Sequence, residues 1–335
     1  MATVGTGRGA RTRRRTALGS LLAVWVAAGL AAGCTVSGGP GDDGRGSPQQ
    51  PRHSSREPGP GERFGPSVLA VKIDNARGAR PHTGVEEADV VYVEQVEGGM
   101  SRLMAVYATR LPDRVGPVRS AREADLELLR QFGRPVLAFS GAQSRLMPLI
   151  DGAPLQAVTP ESASGVFVRG TGRPAPHNLY LRPERLMDRP PGPQALTTGF
   201  RFGRPPADGA REDTHTVRYP AARFTFTWSE ADSRWLVSMD GSPAITDEGE
   251  PLAPATVVVQ YVTVRPSEFQ DFLGNNTPYT ETVGSGEALV LRGGRSYEAL
   301  WNRPAAEEGT TFTTEEGERM NFARGQVWVV YAKAS

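Results

Sequence analysis

From Phe64 onward the apolar residues come in short β-type runs, with a single clear helical stripe among them. "SVLAVKIDN", "ADVVYVEQVE" and "SRLMAVYATR" are rich in β-branched and aromatic residues and close on polar or glycine positions, which predicts three strands. Gly98-Gly99 lies between the second and third and predicts a tight hairpin. The helical stripe is "GPVRSAREADLELLRQFG", with apolar Leu126, Leu128, Leu129 and Phe132 and a terminal Gly133. Ser120 and Glu123 have the spacing of a capping box, so the predicted helix covers about 121–132. "PVLAFSGA" then predicts a buried strand and "QSRLMPLI" a short helix. Strands mixed with helices predict an α/β N-terminal domain over 63–190.

The texture changes after a Pro- and Gly-dense stretch that predicts a linker over 191–213. "ARFTFTW", "RWLVSM", "TVVVQYVTV", "EALVLRGGRSYEALW" and "GQVWVVYA" are strand patterns without a long helix between them. They predict a β-rich C-terminal domain over 214–335 and an α+β protein overall.

The first 62 residues belong to neither domain. "RGARTRRR" followed by "TALGSLLAVWVAAGLAA" has the charge and hydropathy of a signal peptide over 1–33. Cys34, the sole cysteine of the 335 residues, follows immediately and is the expected acceptor of a lipid anchor. Residues 34–62 lack apolar periodicity and predict a disordered tether with a reach of about 30 Å. These features place the protein on the outer face of a bacterial cytoplasmic membrane, with the lipid bilayer as partner.

Charge narrows the function. Residues 1–33 carry five arginines and no acid, so the formal charge falls from +1 to about −4 without them, and no basic bias points to nucleic acid. Only Lys72 and Lys333 are lysines against 36 arginines, a skew that codon usage alone can write. An arginine at a given position is therefore weak evidence of binding.

Several strings stand together in order: "AVKIDN", "ARPHTGVEEADVVYVEQVEGGMSRLMAVY", "GPVRSARE", "RPAPHNLYL", "VGSGEALVLRGGRSYEALW" and "GQVWVV". Over residues 64–333 the chain resembles the YerB-like lipoprotein family, whose two-part domain has no assigned function. The resemblance implies an α/β portion, then a β-rich portion, on a lipid-anchored extracytoplasmic protein. It implies no reaction and no cofactor.

The chain has none of the common zinc-protease, serine-hydrolase or phosphate-loop motifs. His82, His177 and His215 have no paired spacing, so no metal site is expected. What remains is a polar set of Asp74, Asn75, Glu94, Glu97, Arg102, Arg119, Arg122, His177 and Asn178. Asp74 and Asn75 close the first strand; Glu94 and Glu97, three apart on one strand, are expected on opposite faces. Prolines 174 and 176 stiffen the loop that presents His177 and Asn178. Arg119 and Arg122 flank the helix start, where positive potential already favours an anion. The candidate ligand-binding residues are Asp74, Asn75, Glu97, Arg119, Arg122, His177 and Asn178. The bland alternative is a structural salt-bridge cluster through Glu97, Glu123, Asp125 or Glu127. Three functions stay open: binding of an anionic group on a wall glycan or peptide, a hydrolase or lyase acting on wall polymer with a carboxylate/His pair, and structural support of another envelope protein.

Overall fold

The computed structural model describes residues 67–334, apart from 208, 272 and 273. Cys34, the expected signal and the tether lie outside the described residues.

The first three expected strands form: β1 (Leu69–Asp74), β2 (Val90–Gln95) and β3 (Ser101–Tyr107). β3 is antiparallel to both neighbours, so Arg102 faces Glu94 on one side and Asp74 on the other. Gly98 and Gly99 turn the chain between β2 and β3 at φ 66° and 71°, a region closed to most side chains. Residues 97–99 form a 3-10 turn, which takes Glu97 off the strand. The expectation that Glu94 and Glu97 lie on opposite faces of one strand therefore fails.

Helix is scarcer than the sequence pattern suggests. α1 (Glu123–Leu129) and α2 (Met147–Gly152) are short, and the apolar stripe beyond α1 continues only as a 3-10 turn over Arg130–Phe132. The N-terminal half is thus a sheet with two short helices laid on it, and the protein is mostly β. The capping box at Ser120 does not form. Arg119 donates its N–H to the Lys72 carbonyl (2.8 Å), and Ser140 donates to the Arg119 carbonyl (2.9 Å). These bonds hold the segment extended between β1 and β4 (Val136–Ala138). Arg122 becomes the N-cap, its N–H donating to the Asp125 carboxylate at 2.7 Å. A local capping preference worth about 1 kcal/mol yields to two edge hydrogen bonds.

After β5 (Gln156–Val158), the hairpin β6 (Phe167–Arg169) and β7 (Leu179–Leu181) packs beside the site. The later strands are β8 (Ala210–Arg211), β9 (Thr214–Arg218), β10 (Arg223–Ser229), β11 (Arg234–Met239), β12 (Ser242–Pro243) and β13 (Thr256–Val262). They continue with β14 (Val264–Gln270), β15 (Asn276–Thr280), β16 (Gly284–Arg292), β17 (Arg295–Arg303), β18 (Thr311–Thr313) and β19 (Val327–Lys333).

One sheet contains strands from both halves, in the order β18-β17-β16-β13-β19-β2-β3-β1-β4-β5, with β8 on β17. β19 is parallel to β13 on one side and to β2 on the other. Such a strand, flanked on both sides and covered on both faces, needs the continuous apolar run "VWVVYA". The smaller sheet β12-β11-β10-β9 covers one face, where Phe224 and Phe226 meet Trp328 at 6.5 and 6.2 Å between ring centroids. The helices cover the other. Between the halves, Phe200 packs at a tilt against Phe322 and Phe312, with ring centroids 5.0 and 6.0 Å away, so the expected linker 191–213 carries core side chains and the edge strand β8.

C-terminal residues also grip α1. Ser267 donates to Glu123 at 2.6 Å, and Tyr279 and Thr282 donate to Glu127, each at 3.0 Å. Fully buried Arg303 donates to the last helical carbonyls, those of Glu127 (2.9 Å) and Leu128 (3.2 Å), and to Thr282 Oγ1 (2.8 Å). Replacing Arg303 by Met strands several of these acceptors at about 1–3 kcal/mol each. We expect Arg303→Met to lower stability by roughly 3 kcal/mol or more in urea unfolding; a loss under about 1 kcal/mol would show that the grip is dispensable.

Candidate functional site

The site lies where β1, β2 and β3 carry charge on the face that α1 covers. Ala70, Lys72 and Asp74 share that face, as do Arg102, Met104 and Val106, and Val90, Tyr92 and Glu94. Its inner half is apolar and packs on Leu128 and Leu129. Its outer half is ionic.

Lys72 is fully buried, with Nζ 2.7 Å from Asp125 Oδ1 and in contact with Glu94. Burial lowers its pKa to about 8, although the Asp125 charge and hydrogen bond oppose that shift. Asp125 also holds the Arg122 N–H, so this carboxylate joins the strand lysine to the helix start. Glu97 accepts two hydrogen bonds from the Arg122 side chain, from Nε at 2.6 Å and from Nη2 at 2.7 Å, while Nη1 donates to the Ala121 carbonyl at 2.9 Å. Burial pushes the Glu97 carboxyl up, but Arg122 and the Thr277 hydroxyl at 2.6 Å more than offset it and hold it below the usual range.

Asp74 is nearly buried and serves two partners with one oxygen: His177 Nδ1 at 2.7 Å and Arg119 Nε at 3.5 Å. Its other oxygen accepts the Ala76 N–H at 3.2 Å. Its backbone carbonyl accepts from Nε2 of His82 at 2.9 Å; burial takes that histidine's pKa down to about 4, so the ring is neutral and structural.

Arg102 has no acid of its own. It is 9 % exposed, and among the described residues its one side-chain hydrogen bond runs from a terminal nitrogen to the Ser120 carbonyl at 2.9 Å. Glu94, its partner in register, is held by Lys72, and Glu97 is held by Arg122. Among the described residues no carboxylate comes within ion-pair range of it. Burial above all, with the charges of Arg122 and Arg119 adding to it and those of Glu97 and Asp74 opposing, lowers its pKa to about 9. It remains a cation at neutral pH, buried and, among the described residues, without a carboxylate in ion-pair contact.

The structure brings together five of the seven candidates: Asp74, Arg119, His177, Glu97 and Arg122. It takes the other two elsewhere. Asn75 bonds Ser101 at 2.9 Å and accepts from Arg80 at 2.9 Å. Asn178 closes its own hairpin, donating to Gly170 O and accepting from Arg169, each at 2.9 Å. Two other expectations change. The N–H of Arg122 is already bonded to Asp125, and α1 is too short to offer an anion site by its dipole. The bidentate bond to Glu97 makes Arg122 part of the salt-bridge cluster weighed as the alternative. Arg102, set aside in the choice of ligand residues, is the side chain without a counter-charge. Lys72 was overlooked, although a lysine inside the apolar run "LAVKID" is a visible signal of a buried partner.

Beside this network lies a cleft of about 420 Å³, bounded by Ser120, Arg122, Gln143, Leu146, Phe269 and Thr277 among others. It joins the N-terminal half to the β14–β15 hairpin.

Two family models match the chain: "Protein of unknown function (DUF3048) N-terminal domain" over residues 58–194 and its C-terminal domain over 215–329. The chain belongs to this two-part family. A relative from Bacillus subtilis (strain 168), named "Putative lipoprotein YerB", is 24% identical over 270 residues, which span 78% of this chain and 80% of the relative. The crystal structure of YerB protein from Bacillus subtilis matches with a TM-score of 0.66 at 19% identity, over 80% of this chain and 91% of that one, so the two share a fold. The YerB-like resemblance of the sequence is borne out.

Removing the lysine charge strands two buried carboxylates, a change that costs about 3–5 kcal/mol. Lys72→Met should therefore lower stability by that amount in chemical unfolding at pH 7. An unchanged midpoint would mean that Glu94 and Asp125 have other partners.

Proposed function

We propose that this protein is a lipid-anchored binding protein of the bacterial cell envelope. It is tethered through Cys34 at the outer face of the cytoplasmic membrane and holds an anionic group of a wall glycan or peptide. The lipoprotein name of the Bacillus relative supports the anchor, as do the signal pattern and lone cysteine. The anion reading rests on one observation, the buried Arg102 without a carboxylate.

A guanidinium carries five N–H donors, and Arg102 spends one on Ser120. Arg119 Nε stands 3.5 Å from the Asp74 carboxylate, and its side chain is 27 % exposed. Arg102 is in register with Asp74 and Arg119 pairs with it, and two guanidinium groups near one carboxylate suit the planar oxygens of a bound carboxylate or phosphate. His177 stands on the same Asp74 oxygen as Arg119 and so flanks the bound group. The cleft lined by Ser120, whose carbonyl holds Arg102, has room for the remainder of a small ligand.

A charge-assisted hydrogen bond contributes about 1.5–3 kcal/mol, which is roughly a ten- to hundredfold change in affinity. Titration calorimetry of the whole chain in mild detergent, with inorganic phosphate and sulfate at pH 7, checks this. Arg102→Met should weaken binding by that factor while leaving stability equal or higher, because an uncompensated buried charge has gone. Unchanged affinity, or a collapse of stability, would assign Arg102 a structural role instead.

A further inference from the structure

The contact between Asp74 and His177 orients the imidazole as well as placing it. Because a carboxylate oxygen accepts at 2.7 Å, Nδ1 carries the proton and the neutral ring keeps a lone pair on Nε2. Asp74 is itself held by the Ala76 N–H (3.2 Å) and stands near Arg119. The ring lies against Gly78, where a Cβ would stand only 3.3 Å from its Cδ2. Arg173 fixes the same loop by donating to the carbonyls of Ala79 (2.6 Å) and Pro81 (2.7 Å). Nε2 makes no hydrogen bond to a described residue, and the side chain is 26 % exposed. The result is a rigid histidine with its inner nitrogen bound, its outer nitrogen without a partner among the described residues, and the Arg119 guanidinium on the same carboxylate oxygen.

We propose that His177 is the general base in hydrolysis of a phosphodiester held by Arg102 and Arg119, with Asp74 as the positioning residue for its ring. This rests on the anion-binding reading. A buried cation with no carboxylate in ion-pair contact favours a substrate already charged, which a phosphodiester is and a neutral ester is not. Guanidinium forks match its two free oxygens and also receive the charge that grows on them in the transition state. The step balances with water alone. Nε2 takes a proton from water as the water oxygen bonds to phosphorus, and the bond to the leaving alcohol's oxygen breaks. That alkoxide takes a proton from solvent at the exposed mouth, and His177 returns its own proton to solvent. The products are a phosphomonoester and an alcohol, and no redox partner is required.

The probe is bis(p-nitrophenyl) phosphate, whose leaving group needs no acid, with the whole chain in detergent at pH 7.5. Wild type should release p-nitrophenolate faster than buffer alone. General-base catalysis contributes about 10²–10⁴-fold, so His177→Ala should lose at least a hundredfold of the rate above background, and millimolar imidazole should restore part of it. Asp74→Asn should lower kcat with KM changed only a few-fold, whereas Arg119→Ala should raise KM as well. Imidazole rescue separates loss of the base from loss of the fold, and the comparison of wild type with buffer stands even if a variant does not fold. If wild type binds inorganic phosphate by calorimetry yet releases no more p-nitrophenolate than buffer, the catalytic proposal is wrong and the binding reading survives. If wild type binds no phosphate, both fall.

Discussion

Lys72 sits in the middle of a fully buried strand with no water to solvate its ammonium group, so it must find carboxylates inside the protein. It takes two, Glu94 from β2 and Asp125 from α1. Asp125 in turn fixes where α1 begins, and with it the position of Arg122 against Glu97. Glu94 is the acid that stands opposite Arg102 in register, and the lysine removes it from that role. The same ion cluster that anchors the helix on the sheet therefore leaves a guanidinium beside it without a direct ion-pair partner among the described residues. The desolvation of one side chain accounts for both the local architecture and the anion preference argued for the site.

The rest of the fold keeps that arrangement in place. β19 lies parallel between β13 and β2, which makes one sheet of strands from the two family halves. Arg303 and the β14–β15 hairpin hold both ends of α1 from the C-terminal side. The β6–β7 hairpin is bonded to the segment around Val118, where the Val118 N–H donates to the Leu179 carbonyl at 2.6 Å, and this brings His177 to Asp74. A site built at the end of β1 thus depends on elements more than a hundred residues away.

Much of this could be read in the chain, and what could not has physical causes. β-branched runs announced β1, β2 and β3, and the Gly98-Gly99 pair announced their hairpin, because those signals act over a few residues. The Ser120 capping box failed because extended-chain hydrogen bonds to Lys72 and Ser140, which no local pattern encodes, outcompeted it. Glu97 was misplaced because the strand stops at Gln95 and the turn redirects the side chain toward Arg122. The prolines around His177 correctly marked a shaped loop, yet Asn178 turned inward to close it. Arg102 gave no signal of its own among 36 arginines; its importance comes from what Lys72 does to its neighbour.

The central claim is that Arg102, which lacks a direct ion-pair partner among the described residues, receives an anion, and a heavy anion in a crystal tests it most directly. Crystals of residues 63–335 soaked in tungstate should show an anomalous peak within hydrogen-bond distance of the Arg102 and Arg119 guanidinium groups, on the side of Asp74 that His177 occupies. A map with no peak there, and peaks instead at exposed arginines such as Arg77 and Arg218, would contradict the account.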